Sequence, residues 1–166
     1  MNYIEEHRDL FSLSISEYSF VHCISSDFKL GAGIAHEFDG RFSIRQHLFK
    51  RYPNYHDRWV SEGIKYDCLI TDLNNWGYVY RTRSIETNVN PIFNLVTKTN
   101  YWDKPTLESM RGSLTLLKEY CVSLNIKKLA MPCIGCGLDR LTWSKVSKLI
   151  KQIFDDTDIE IRVCIQ

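Results

Sequence analysis

No stretch of this sequence stays apolar over the roughly 20 residues needed to cross a bilayer, so no membrane span is expected. Neither sign of charge is in excess. With 21 basic and 20 acidic residues the net charge is +1, and no global field draws the chain toward nucleic acid or a membrane surface. The opening Met1-Asn-Tyr-Ile-Glu-Glu-His-Arg-Asp9 lacks an apolar run behind a basic region, so no secretion signal is read there. The expectation is an intracellular protein, cytoplasmic and/or nuclear. No Gly-x-x-x-x-Gly-Lys-Ser/Thr occurs, and the third glycine of the dinucleotide fingerprint is missing. Neither a P-loop hydrolase nor a hydride-transfer enzyme is favoured. The six cysteines, at 23, 68, 121, 133, 136 and 164, sit mostly in apolar runs, where a reduced thiol acts as a small core residue. Cys133-Ile-Gly-Cys136 spells Cys-x-x-Cys, but no second such pair and no close histidine pair completes a zinc site. No metal and no cofactor is expected.

What is present is an ordinary globular composition. The chain has 166 residues, 44% of them apolar, enough for one domain with a core of its own. No repeat, low-complexity run or linker divides it. Strand-like and helix-like segments alternate, which indicates an α/β layered domain. Strands are expected at 20–24, 67–71, 77–80, 92–97, 128–132 and near 159–165. Helices are expected after Gly33, from about Pro105 to Leu124 and from Trp143 to Ile153. In the second of these Leu107, Met110, Leu114, Leu117, Cys121 and Leu124 recur at alternating threes and fours, giving one apolar stripe. Residues 50–90 are the least regular and leave room for an insertion or lid.

Two glycine loops carry the chemistry. Ser25-Ser-Asp-Phe-Lys-Leu-Gly31-Ala-Gly33-Ile-Ala-His36 follows the apolar run Phe20-Val-His-Cys-Ile24 and leads into a helix. Met131-Pro-Cys-Ile-Gly-Cys-Gly-Leu-Asp139-Arg-Leu141 likewise follows a short strand and precedes a helix. Strand, Gly-x-Gly, helix presents bare backbone N–H groups to an anion. Two such units suggest two phosphates, or one diphosphate held from both sides. Asp139, at the rim of the second loop, is a candidate acid/base. Its structural alternative is a cap for a helix starting near Leu141 or Thr142. His22, inside an apolar strand, reads as a hydrogen-bonded core residue, and His36 as solvent-facing. Tyr78, Tyr80, Tyr101 and Trp102 are candidates for stacking on a base or ribose, or else core aromatics.

With both loops placed, the chain resembles a macrodomain, the ADP-ribose-binding α/β module, and within it the terminal ADP-ribose protein glycohydrolase branch. The residues that carry the resemblance are Asp9-Leu-Phe11, His22-Cys-Ile-Ser25 leading into Gly31-Ala-Gly-Ile-Ala35, Leu95-Val-Thr-Lys98, Lys104-Pro-Thr106 and the 131–141 motif. The resemblance implies a single macrodomain over 1–166, a three-layer α/β/α sandwich around a mixed sheet, with ADP-ribose across the sheet's end. It makes Lys98 the nucleophile and Asp139 the acid/base. It also implies ligand contacts from Asp9, Leu10, Ser25, Gly31, Ala32, Gly33, Ile34 and Ala35 in the first half. In the second half it implies Cys133, Ile134, Gly135, Cys136, Gly137 and Leu138, with Gln166 near the adenine. Two departures stand out. Cys133 occupies a position where an arginine is expected, and the stretch between the first helix and Lys98 is longer than in the family. A strand register shifted by one there would turn Lys98 to the wrong face.

The implied activity is hydrolysis of mono-ADP-ribose from glutamate or aspartate side chains, with O-acyl-ADP-ribose as a related ester. The partners would be ADP-ribose and mono-ADP-ribosylated proteins, acted on by a monomer. Three alternatives remain open. One is a reader that binds ADP-ribose without turnover, and another is an ADP-ribose 1″-phosphate phosphatase. The third is removal of ADP-ribose from nucleic-acid ends, which would draw on Arg51, Arg58, Arg81 and Arg83 and is not favoured by the charge balance.

Overall fold

The computed structural model describes residues 1–75, 89–137 and 141–166. The strand expected at 77–80 and the site candidates Leu138 and Asp139 lie outside these residues. The described residues form β1 (Asn2–His7), β2 (Ser19–Ser25), α1 (Gly33–Phe42), α2 (Ile44–Arg51), α3 (Tyr55–Glu62) and β3 (Asp67–Thr71). They continue with β4 (Ile92–Lys98), α4 (Leu107–Ser123), β5 (Lys128–Met131), α5 (Trp143–Phe154) and β6 (Glu160–Ile165). Short 3-10 turns stand at Leu10–Ser12 and Leu73–Asn75.

The sheet has six strands in the order β1-β6-β5-β2-β4-β3. Every neighbouring pair is parallel except β3 with β4, so the sheet is mixed. Alternation along the strands sends side chains to two cores. Phe20, Ile24, Ile92 and Val96 pack with Phe38, Ile44, Leu48, Tyr55 and Trp59 from α1, α2 and α3. Val21, Phe93, Leu95, Leu129 and Ile161 pack with Met110, Leu114, Leu117, Val146 and Ile150 from α4 and α5. Helices thus cover both faces, as the period-2 pattern of buried strands requires. The α/β/α sandwich expected from sequence is the fold observed.

The helices follow their local signals. On α4, Met110, Leu114 and Leu117 are fully buried, each contributing about 1.5–3 kcal/mol of apolar burial. The outer members of the stripe do not share this fate: Leu107 and Leu124 are exposed, because they lie at the ends of the helix where it overhangs the sheet. Thr106 caps α4, its side chain accepting from the Ser109 amide while Ser109 Oγ accepts from the Thr106 amide, a reciprocal capping box. The single helix expected after Gly33 is two, since Ser43 takes a left-handed conformation (φ 53°) between α1 and α2. In the irregular 50–90 stretch, α3 and β3 are part of the body of the domain, with Tyr55 and Trp59 buried beneath α3.

His22 lies in the core as expected. Its Nε2 donates to Asn94 Oδ1 (2.6 Å), and Asn94 Nδ2 donates in turn to Leu69 O and Thr71 Oγ1. The imidazole stacks on Phe38 with centroids 4.0 Å apart. Complete burial lowers its pKa to about 4, outweighing the Asn94 bond.

Candidate active site

The chain leaves β2 toward α1 on one face and returns, after β4, through α4 on the other face to β5, which pairs with the opposite edge of β2. Such a reversal leaves a crevice at the carboxyl ends of the strands, where connections diverge to opposite faces. A cleft of about 640 Å³ occupies this position. It is lined by the segments that follow β2, β4, β5 and β6, and by Leu10 from the first 3-10 turn.

The first wall is the loop after β2. Ser25, Gly31, Ala32, Gly33, Ile34 and Ala35 all line the cleft. Gly33 has φ 61° and begins α1, so the helix's first amides open toward the cavity from a left-handed residue that favours glycine. The turn before it holds two non-glycine residues at positive φ, Phe28 (53°) and Leu30 (42°). Their side chains are anchored in the core, which offsets the backbone strain. Asp27 organises the same turn: one carboxylate oxygen accepts from Ser25 Oγ (2.6 Å) and the Lys29 amide (3.1 Å). The other accepts from the Tyr101 amide (2.9 Å) across the cleft's mouth.

The second wall is the loop after β5. Cys133, Ile134, Gly135 and Gly137 line the cleft; Cys136 does not, and its thiol points back to Ile134 O (3.4 Å). The Cys136 amide closes the turn on Cys133 O (3.3 Å). Gly135 has φ 76°, and a Cβ there would lie 2.8 Å from Met110 Cε, so this position demands glycine. The Leu141 amide donates to Gly135 O (2.7 Å), which ties the two ends of the 135–141 loop together. The N-cap of α5 is Thr142.

Lys98 ends β4 and lines the cleft, half-buried. The ladder between β2 and β4 is irregular at this end. Ile24 pairs with Val96, but Ser25 pairs with Lys98, so Thr97 is an extra residue on β4. A bulge of this kind re-aims the side chain that follows it. Here it turns Lys98 into the cleft rather than away from it.

Asp9 is not a wall residue. It caps the first 3-10 turn by accepting from the Phe11 amide (3.0 Å), and its Oδ1 also accepts from Gln166 Nε2 (3.3 Å). Gln166 itself lines the cleft, so Asp9 acts there by orienting it.

Electrostatically the described lining is simple: Lys29, Lys98 and Lys104, with no carboxylate side chain among the described residues. With two backbone N–H walls this suits an anion with apolar appendages. Cys23, Cys133 and Cys164 put thiols on the lining, and those of Cys133 and Cys164 have raised pKa values, Cys164 to about 11. Burial is the main cause, with Glu5 and Glu6 respectively adding to it. Both thiols are therefore neutral and act as small contact surfaces rather than thiolates. All six cysteines are free, and no cluster of metal-binding side chains occurs among the described residues.

No family model matches the chain. Over 155 residues it is 37% identical to ADP-ribose glycohydrolase OARD1 of Bos taurus, covering 93% of this chain and 86% of that protein. The chain belongs to the OARD1 family of macrodomains. The fold agrees. The macrodomain of Mycobacterium tuberculosis DarG superposes with a TM-score of 0.74 at 20% identity, covering 98% of this chain and 96% of that one. Thermosipho africanus DarTG in complex with ADP-ribose gives 0.68 at 19% identity, covering 99% of this chain and 42% of that one.

Several cleft residues of this macrodomain carried no sequence assignment. Lys29 and Leu30 stand inside the first glycine loop, and Lys104 inside the Lys104-Pro-Thr106 motif, yet neither motif says which side chain turns inward. Cys23, Cys164 and Ile165 reach the cleft from the last residues of β2 and β6, which run up to it. Tyr101 is the one aromatic stacking candidate on the described lining. Its exposed ring lies below Lys29 Nζ (5.6 Å to the centroid) and edge-on to Trp102 (4.9 Å).

Proposed function

We propose that this macrodomain hydrolyses the ester joining ADP-ribose to a protein carboxylate, with Lys98 as nucleophile and Asp139 as acid/base. The observation that carries this reading is the Lys98 amine at the end of β4, one of three lysines on a cleft with two backbone anion walls. Membership of a family of ADP-ribose glycohydrolases supports it. The diphosphate would lie between the amides that open α1 and those of the 133–137 loop. Leu10, Ile165 and Gln166 would receive the adenosine end, which leaves the distal ribose beside Lys98.

The chemistry then follows in balanced steps. The neutral amine of Lys98 bonds to C1″ as the C1″–O bond to the protein breaks, and the glutamate or aspartate carboxylate leaves with the electron pair. Asp139 takes the proton released by the nitrogen and returns it to the ring oxygen as the ribose opens, giving an imine. Water adds to the imine, Lys98 departs as the amine, and free ADP-ribose closes to its hemiacetal. No metal or redox partner enters. O-acyl-ADP-ribose presents the same C1″ chemistry where the acyl group migrates to that carbon.

The test is to incubate the protein with a peptide carrying glutamate-linked mono-ADP-ribose and to follow ADP-ribose by mass. Release by wild type, lost in Lys98→Ala and Asp139→Ala while ADP-ribose binding persists, is the expected result. Binding without release by wild type would make the cleft a reader. Release of inorganic phosphate from ADP-ribose 1″-phosphate, unaffected by Lys98→Ala, would point to the phosphatase instead.

A further inference from the structure

The bulge that turns Lys98 inward also interrupts the strand ladder at that point, so the backbone there needs other support. Four residues supply it. The Ser26 amide donates to Lys98 O (2.9 Å), and Ser26 Oγ donates to Thr99 O (2.7 Å). Ser26 Oγ also lies 2.9 Å from His56 Nδ1. A hydroxyl has one proton and a carbonyl can only accept, so the Ser26 proton is committed to Thr99. At the other contact Ser26 therefore accepts, and His56 Nδ1 carries the hydrogen. On the far side, Trp59 Nε1 donates to Thr99 Oγ1 (2.9 Å). Ser26 and Trp59 are buried, His56 and Thr99 half-buried.

The result is a relay of donors from α3, through the residue that follows β2, to the backbone after Lys98. His56 and Trp59 stand one helical turn apart on α3, and so they reach Ser26 and Thr99 respectively from one helix face. None of the four residues lines the cleft. Their polar atoms are spent on one another and on the backbone at 98–99.

We propose that Ser26, His56, Trp59 and Thr99 are positioning residues that hold the Lys98 amine at its attack position. The inference rests on the reading of Lys98 as nucleophile. A misplacement of about 1 Å at a reacting atom costs on the order of a hundredfold in rate. Loosening the 98–99 peptide should therefore lower kcat, while the binding walls, built elsewhere, keep their affinity.

The experiment compares wild type with Thr99→Val, which keeps the side-chain shape but loses the acceptor for Trp59, and with Thr99→Ser, which restores it. Trp59→Phe removes the same bond from the other side, and Lys98→Ala serves as reference. Steady-state kcat and KM on the glutamate-linked ADP-ribosyl peptide are measured per folded molecule, with ADP-ribose affinity by calorimetry. A second readout is independent of turnover. Free ADP-ribose, in its ring-opened aldehyde form, condenses with Lys98, and cyanoborohydride reduces the imine to a stable amine found by peptide mass. The expected result is a kcat and a trapping rate at least about tenfold lower in Thr99→Val and Trp59→Phe. KM and ADP-ribose affinity should change less than about twofold, and Thr99→Ser should recover most of the rate. Thr99→Val and Trp59→Phe with wild-type kcat and trapping, in a protein that depends on Lys98, would overturn the positioning role alone. Full activity in Lys98→Ala would overturn the nucleophile reading and this inference with it.

Discussion

Gly135→Ala separates the architecture of the second wall from its chemistry. Gly135 has φ 76°, and a non-glycine residue in the left-handed region costs about 1–2 kcal/mol. A Cβ there would meet Met110 Cε at 2.8 Å and Leu141 Cδ1 at 3.1 Å. Met110 is a flexible side chain, but it is fully buried under α4, so its displacement is an overpacking event of about 1–3 kcal/mol. The sum is about 2–5 kcal/mol, a large part of the ~5–15 kcal/mol available to a typical domain. For a chain of this length each kcal/mol moves Tm by roughly 2–4 °C, so a fall of about 4–20 °C is expected by calorimetry. Gly137→Ala is the control. Among the described residues nothing lies within 4 Å of a Cβ at Gly137, and its cost to stability should stay within about 0.5 kcal/mol. Because Gly137 lines the cleft, its methyl group should nonetheless weaken ADP-ribose binding. A Gly135→Ala protein melting within about 2 °C of wild type would refute the claim that this loop has one fixed backbone pressed against α4.

Two further outcomes follow from the geometry. Thr106→Ala removes one half of the α4 capping box and should cost about 1 kcal/mol, read as a lower midpoint in urea with an unchanged slope. His22 makes stability fall with acid. Its pKa is lowered from 6.5 to about 4 in the folded protein, so between those values the unfolded chain binds the proton and the folded one does not. The penalty is absent above about pH 6.5, grows as pH falls and is complete near pH 4, reaching about 3 kcal/mol at most. Chemical denaturation of His22→Gln at several pH values should show a flatter profile over this window, and an unchanged profile would contradict the assignment.

Much of the frame was legible from residue order because the signals that made it are local. The buried run Phe20–Ile24, the 3.6-residue stripe on α4 and the glycine pairs each act through neighbours a few positions apart, and each is found where its pattern lay. β1 escaped notice because Asn2–His7 is an edge strand with mostly polar residues, held by backbone pairing to β6 rather than by an apolar face. The division of α1 from α2 escaped for a related reason, since a serine in left-handed conformation has no compositional mark. The sequence places Cys136 in the wall loop but carries no signal for which way the turn rotates each side chain.

Residue order alone carries the alternation of strands and helices, the two glycine loops and the likeness to macrodomains in the 131–141 motif. Those properties depend on backbone freedom and on periodic burial, which are written in short stretches. Packing in three dimensions sets the bulge at Thr97 beside Lys98 in the cleft and brings Lys29 and Lys104 to the same cavity. It alone joined Ser26, His56, Trp59 and Thr99 behind the amine, with the Ser26–Thr99 bond closing across 73 positions. Hydrogen bonds between such distant residues leave no local pattern, because their partners become neighbours only when the sheet and its covering helices have packed.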